Sequence, residues 1–172
     1  SLRRELARSS AAALTMITAT AWAPAPTWPT WALLATIGAW VAVIDAITTW
    51  IPAVLAWTGW AGWIGAVVVT ALSDHTAAIR AVSPTAFIFA AWMISWLLSR
   101  GGFGFSDVRI TPLWAAPAAA TGIDTIQVTV IAGLTLIALY ALIDRFRHHT
   151  TRFLPWAPSL CSGALIGLAI AH

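Results

Sequence analysis

Trp31-Ala-Leu-Leu-Ala-Thr-Ile-Gly-Ala-Trp40-Val-Ala-Val-Ile-Asp45-Ala-Ile-Thr48 is an apolar run of membrane-helix length that carries a carboxylate near its end. A helix needs about 20 mostly apolar residues to cross the hydrocarbon core, with a range of roughly 17–25. An aspartate at mid-bilayer costs roughly 2.5–3.5 kcal/mol on insertion scales, so a carboxylate at the edge of such a run points to function. The run is followed by Ile51-Pro52, which closes a short turn. A second aspartate ends the glycine-rich stretch Gly101-Gly-Phe-Gly-Phe-Ser-Asp107-Val-Arg109, which also lies between apolar runs. Two carboxylates, each at the mouth of a span, suggest a paired acid and base.

The rest of the composition agrees with a membrane setting. Of 172 residues, 60% are hydrophobic and 9% charged, against about 25% charged in ordinary globular chains. Twelve tryptophans stand against one tyrosine, and tryptophan collects where its ring is half in lipid and its N–H reaches polar groups. The nine cationic residues are all arginine, and the net charge is +3. They sit in short clusters between apolar runs, as positive-inside topology arranges them, and not along one face; nucleic-acid binding is therefore not expected. Cys161 is a lone cysteine in an apolar segment, which excludes a disulfide framework and a cysteine metal site.

The apolar runs are residues 9–28, 31–48, 53–72, 83–99, 111–122, 126–143 and 154–171. The first is broken by Pro24, Pro26 and Pro29, and the fifth is short and rich in alanine and proline. The expectation is an all-α, polytopic transmembrane bundle of six or seven spans, forming one integral membrane domain over residues 1–172. Residues 1–30 form a weak first span and loop, read as a membrane helix and not as a cleaved signal, and residues 31–172 form the core. If all seven runs cross, Arg3, Arg4 and Arg8, Arg100 and Arg109, and Arg145, Arg147 and Arg152 fall on one side, with only Arg80 on the other. The Asp45–Pro52 turn falls on the arginine-rich, hence cytoplasmic, side. Gly59, Gly62 and Gly65, and Gly163-Ala-Leu-Ile-Gly167, mark close helix packing. The stripe Trp57, Trp60 and Trp63 reads as belt or core.

Two carboxyls brought close share one proton, because neighbouring like charges in a poor solvent cannot both ionise cheaply. The ionised member can activate water for attack on a carbonyl while the protonated member donates to the carbonyl oxygen. That is aspartic-peptidase chemistry, and it needs no metal or other cofactor. Gly101, Gly102 and Gly104 permit angles and approaches that side chains forbid, so the loop can carry Asp107 toward Asp45 and leave room for an extended peptide.

Three stretches together resemble the type IV prepilin leader peptidases, a family of G-x-G-D membrane aspartic peptidases. Asp45 is followed six and seven residues later by Ile51-Pro52, as in that family. Gly102-Phe-Gly104-Phe-Ser106-Asp107-Val-Arg109 is similar to its glycine-rich segment, with Ser106 in place of the second glycine. Leu154-Pro155-Trp156-Ala157-Pro158 is similar to its closing Pro-Phe-Gly-Pro stretch, with Ala157 in place of glycine. The likeness runs from about residue 31 to the C-terminus. Ala46, Thr48, Thr49 and Ala53 replace arginines and an asparagine usual around the first motif. The resemblance implies a hydrolase of the inner membrane, with its active site on the cytoplasmic side, that removes leader peptides from prepilin-like protein substrates of type IV pilus systems. It implies catalytic Asp45 and Asp107, loop-shaping or substrate-binding Gly102, Gly104, Ser106, Arg109 and Pro52, and the lipid bilayer as the other partner. The cysteine-rich insertion of N-methylating relatives is absent from the sequence, so cleavage without methylation is expected.

Two other classes use the same residues. A small proton-coupled transporter would use the aspartates as ion sites along a polar path reaching both faces. A non-catalytic relative would bind prepilins without cutting them. Asp74-His75 and Asp124 belong to the opposite face, Asp144 reads as a boundary charge, and His148-His149 lacks the spaced partners of a metal site.

Overall fold

The computed structural model describes residues 20–99, 104–148, 154 and 156–171, and every regular element among them is helical. α1, Ala25–Thr48, opens with a 3-10 turn and contains a π-helical segment, Leu34–Gly38. α2 spans Ala53–Ser73, α3 His75–Leu98, α4 Phe105–Arg109, α5 Thr111–Thr121, α6 Ile123–His148 and α7 Trp156–Ala171. α1, α2, α3 and residues 123–146 of α6 are each long and apolar enough to cross a membrane. α7 is apolar but only 16 residues long, and α5 has 11. Four helices thus meet the length rule where six or seven were expected. The first expected run, 9–28, lies largely outside the described residues.

Local chemistry explains where the helices start and stop. Pro24 precedes the first turn of α1, and Pro26 and Pro29 lie at early positions of its 3-10 and α-helical segments. Proline lacks only an N–H that a first turn does not use, so these residues begin the helix instead of breaking it. α3 starts at His75, eight residues before the expected 83, because Asp74 caps it by accepting from the Ala77 N–H at 3.0 Å. That cap satisfies one of the donors a helix start leaves unpaired.

The lateral surface is apolar, with Leu72, Phe87, Leu98, Ile131 and Phe146 all strongly exposed. The interior is built from small residues. α5 is the central rod: Thr111 through Ala120 are all buried, and the helix packs against α1, α2, α3, α6 and α7. Its alanines let five neighbours approach at once, which is why it scores as a weak span. α6 and α7 pack closest of all. A Cβ added at Gly163 would lie 2.6 Å from the Thr129 carbonyl oxygen and 2.7 Å from the Gly133 amide, so only glycine fits. Gly59 and Gly62 face Leu113 and Leu33, whereas Gly65 faces open space.

Candidate active site

The three motif stretches meet at one end of the bundle. Asp45, in the last turn of α1, is 3% exposed, and Asp107, in α4, is 7% exposed. The opposite end gathers Pro24, Thr121, Gly122, Asp124 and Ile170 around a shallow cavity. Asp124 therefore lies away from the paired aspartates. A second apolar core holds the motifs together: Ile51 and Ile110 are fully enclosed with Leu33, Val41, Leu113 and Ala157.

The turn after Asp45 has a defined geometry. The Thr49 N–H donates to the Asp45 carbonyl at 2.8 Å, and Thr49 itself adopts φ 53° and ψ 25°. A β-branched residue in the left-handed region is unusual and strained. The turn holds because Ile51 is drawn into the core and Pro52 caps the start of α2. The six-residue spacing from Asp45 to Ile51 is thus one helix end, one reversed residue and one anchor.

Asp45 is tied across the bundle. Its Oδ2 accepts from the Ala157 N–H at 2.9 Å, and the Trp156 amide also bonds to its carboxyl. These are the first two residues of α7, whose amides have no partner within their own helix. The carboxylate of one span therefore caps the start of another. Cys161, one turn further along α7, is buried and lies 3.9 Å from the Gly38 carbonyl at the end of the π-helical segment.

Asp107 lies in the short helix α4, not in a loop as its glycine-rich approach suggested. Gly104 precedes that helix with φ −74° and ψ 130°, angles open to any residue. Its role is proximity: an added Cβ would lie 2.8 Å from Asp107 Oδ2 and 3.2 Å from Ser106 Oγ. Gly101 and Gly102 lie outside the described residues. Among the described residues, no N–H or hydroxyl donates to the Asp107 carboxyl. Burial, and after it the neighbouring Asp45 carboxylate, push Asp107 up to about 7. The carboxyls are thus near enough to influence one another, as a shared-proton pair requires.

The remaining expected residues divide. Ser106 is partly buried, and its carbonyl accepts from the Ile110 N–H at 3.3 Å. Pro52 starts α2. Arg109 places its guanidinium 5.3 Å from the centre of the Phe105 ring, a cation–π contact, and its buried Nε has no partner among the described residues. Trp60 carries a role the stripe did not reveal: its Nε1 donates to the Arg109 carbonyl at 2.9 Å and ties α2 to the end of α4. Trp57 points outward, while Trp60 meets Trp63 and Phe89 edge to face. Trp92 stands between Trp114 and Trp156 and supports the start of α7. Neither the Trp60 tie nor the α7 cap was visible in the motifs, because both use backbone groups of distant segments. Among the described residues, no three histidine, cysteine or acidic side chains form a metal-binding group.

Two buried carboxyls, one held by amides and one without a donor among the described residues, can polarise a water and a carbonyl together. Comparisons with protein-family models, curated proteins and solved structures each return no match.

Proposed function

We propose that this chain is a membrane aspartic endopeptidase that removes leader peptides from prepilin-like substrates, without N-methylation. The observation that carries the reading is the convergence of Asp45, Asp107 and the α7 start, three stretches far apart in sequence, into one buried site. A single acid in a helix bundle has many structural uses. A pair close enough to influence one another, with a glycine lying against one of the carboxyls, suits general acid–base work on a peptide carbonyl.

In this reading the bundle sits in the inner membrane with the aspartate end facing the cytoplasm, where the arginine clusters lie. α5, the run expected at 111–122, and α7 are embedded as further crossings, giving six in the described part and a seventh if residues 9–28 cross as well. The substrate is a basic leader followed by an apolar helix. That helix enters laterally and lies against the lipid-facing surface, and the leader joint reaches the aspartates. Arg109 sits at the boundary, where it steadies α4 through Phe105.

The test is cleavage of a co-expressed prepilin-type substrate by wild type, Asp45→Asn and Asp107→Asn. Each change keeps the size of the side chain and removes its proton chemistry. Losing general acid–base catalysis costs roughly 10²–10⁴-fold, so both variants should leave the precursor uncut while remaining in the membrane at wild-type levels. Cleavage surviving in either variant removes that residue from the mechanism. Absence of cleavage by wild type, with a substrate encoded beside it, turns the reading toward binding or transport.

A further inference from the structure

We infer that the α7 start divides the labour between the two carboxyls: the Ala157 N–H holds Asp45 as the carboxylate that activates water, and Asp107 carries the proton for the scissile carbonyl. This assignment rests on the peptidase reading. Ala157 is a positioning residue, since it acts through Asp45.

Both acids are buried, and they differ in the hydrogen bonds they receive. Asp45 receives the amides of Ala157 and Trp156. An N–H bonds well only to an acceptor, so each such bond favours a carboxylate over a carboxylic acid. The partial positive charge of the α7 start acts in the same direction. Pro158, next in the chain, has no N–H, so the early donors of α7 reduce to the pair that Asp45 takes up. Asp107 is 7% exposed, Gly104 lies against its Oδ2, and among the described residues no N–H or hydroxyl donates to it. A carboxyl so far removed from water, without the amides that Asp45 receives among the described residues, favours its protonated form over that of Asp45.

The groups facing the pair do not reverse this. Cys161 of α7 carries no charge that would favour a second carboxylate. The Arg109 guanidinium packs over the Phe105 ring, and among the described residues no ion pair joins it to either acid. One proton for two acids therefore resides on Asp107.

The reaction then balances. Asp45 takes a proton from water as the water oxygen bonds to the carbonyl carbon. Asp107 gives its proton to the carbonyl oxygen, which receives the π pair, and a gem-diol forms. On collapse the C–N bond breaks, and the leaving nitrogen keeps the bond pair and takes the proton from Asp45. One diol hydroxyl returns its proton to Asp107 as the new carboxyl C=O forms. Both acids end as they began.

The experiment reads protonation and turnover on the full chain in lipid vesicles. Near about pH 6, where unperturbed carboxyls are ionised, infrared spectra should show a protonated-carboxyl band. Asp107→Asn should abolish that band and Asp45→Asn should retain it; the reverse pattern overturns the assignment. Ala157→Pro removes the N–H at a helix start that accepts proline. It should lower cleavage about 10-fold or more and move the acid limb of the pH–rate profile upward, because Asp45 becomes harder to ionise. Ala157→Gly, which keeps the N–H, should restore both. An acid limb unmoved in a folded Ala157→Pro protein also overturns the assignment. A proline at 157 disfavours the helical angle of Trp156, so if that variant does not fold, the infrared pattern decides. Failure of wild type to cleave rejects the peptidase reading, while the infrared result still tests where the proton resides.

Discussion

Gly104 shows at the residue scale how a motif glycine can matter without unusual backbone angles. Its φ and ψ suit any residue, but a Cβ there would press on the Asp107 carboxyl at 2.8 Å. Gly104→Ala should therefore displace Asp107 and leave the fold nearly untouched. A misplacement of about 1 Å can cost roughly 10²-fold in rate, and cleavage assays with matched membrane levels would measure it. The proton on Asp107 gives a second expectation. Its carboxyl is held up to about 7 in the fold, against 3.8 for the ordinary side chain. The folded state thus binds more protons than the unfolded state between those values, and stability falls as pH rises from about 4 through 7. Thermal unfolding in detergent should show this decline in wild type and a reduced decline in Asp107→Asn. Cleavage should also weaken above about pH 7, where Asp107 loses the proton it donates.

Between elements, the site depends on ties that no motif announces. Trp60 of α2 reaches the carbonyl of Arg109 and fixes the end of α4. Trp60→Phe keeps the ring packing against Trp63 and Phe89 and removes this hydrogen bond. A net loss near 1 kcal/mol is expected, with a larger fall in cleavage than in stability, because the bond steadies the Asp107 segment. The α6–α7 contact tests packing in the opposite sense. Gly163→Val would force backbone apart at Thr129 and Gly133, costing roughly 1–3 kcal/mol as an overpacked core does. Because α7 carries the amides that hold Asp45, that loss should reach catalysis too. Parallel melting and cleavage measurements on the two variants separate the cases.

At the scale of the whole molecule, two ends of opposite character follow from the helix order. Single cysteines introduced at Thr49 and Ser73, in a Cys161→Ala background, should react from opposite sides of intact vesicles, with Thr49 on the cytoplasmic side. Labelling of both from the same side would reject α2 as a crossing. Several features of this architecture were legible without coordinates. The apolar runs exposed the long helices because hydrocarbon demands about 20 apolar residues in a row. Asp45 and Asp107 stood out because charge beside such runs is costly. The Gly163–Gly167 pair disclosed a close helix contact because only glycine gives up its side chain there. Other features were hidden. α5 looked like a poor span because its alanines answer to five packed neighbours and not to lipid, and hydropathy cannot tell those demands apart. The abundance of tryptophan spoke for interface positions, yet Trp31 and Trp114 are wholly enclosed, since ring chemistry suits both places. The partner of Asp45 was invisible for a deeper reason. It is a backbone N–H, 112 positions away, and every residue but proline offers the same group. Sequence alone determined that this chain builds apolar helices and places two acids at their ends, because local composition sets those costs. Only the tertiary structure decided that the acids gather at one end of the bundle and which one receives amides, because those placements depend on how helices pack and on donors that carry no residue identity.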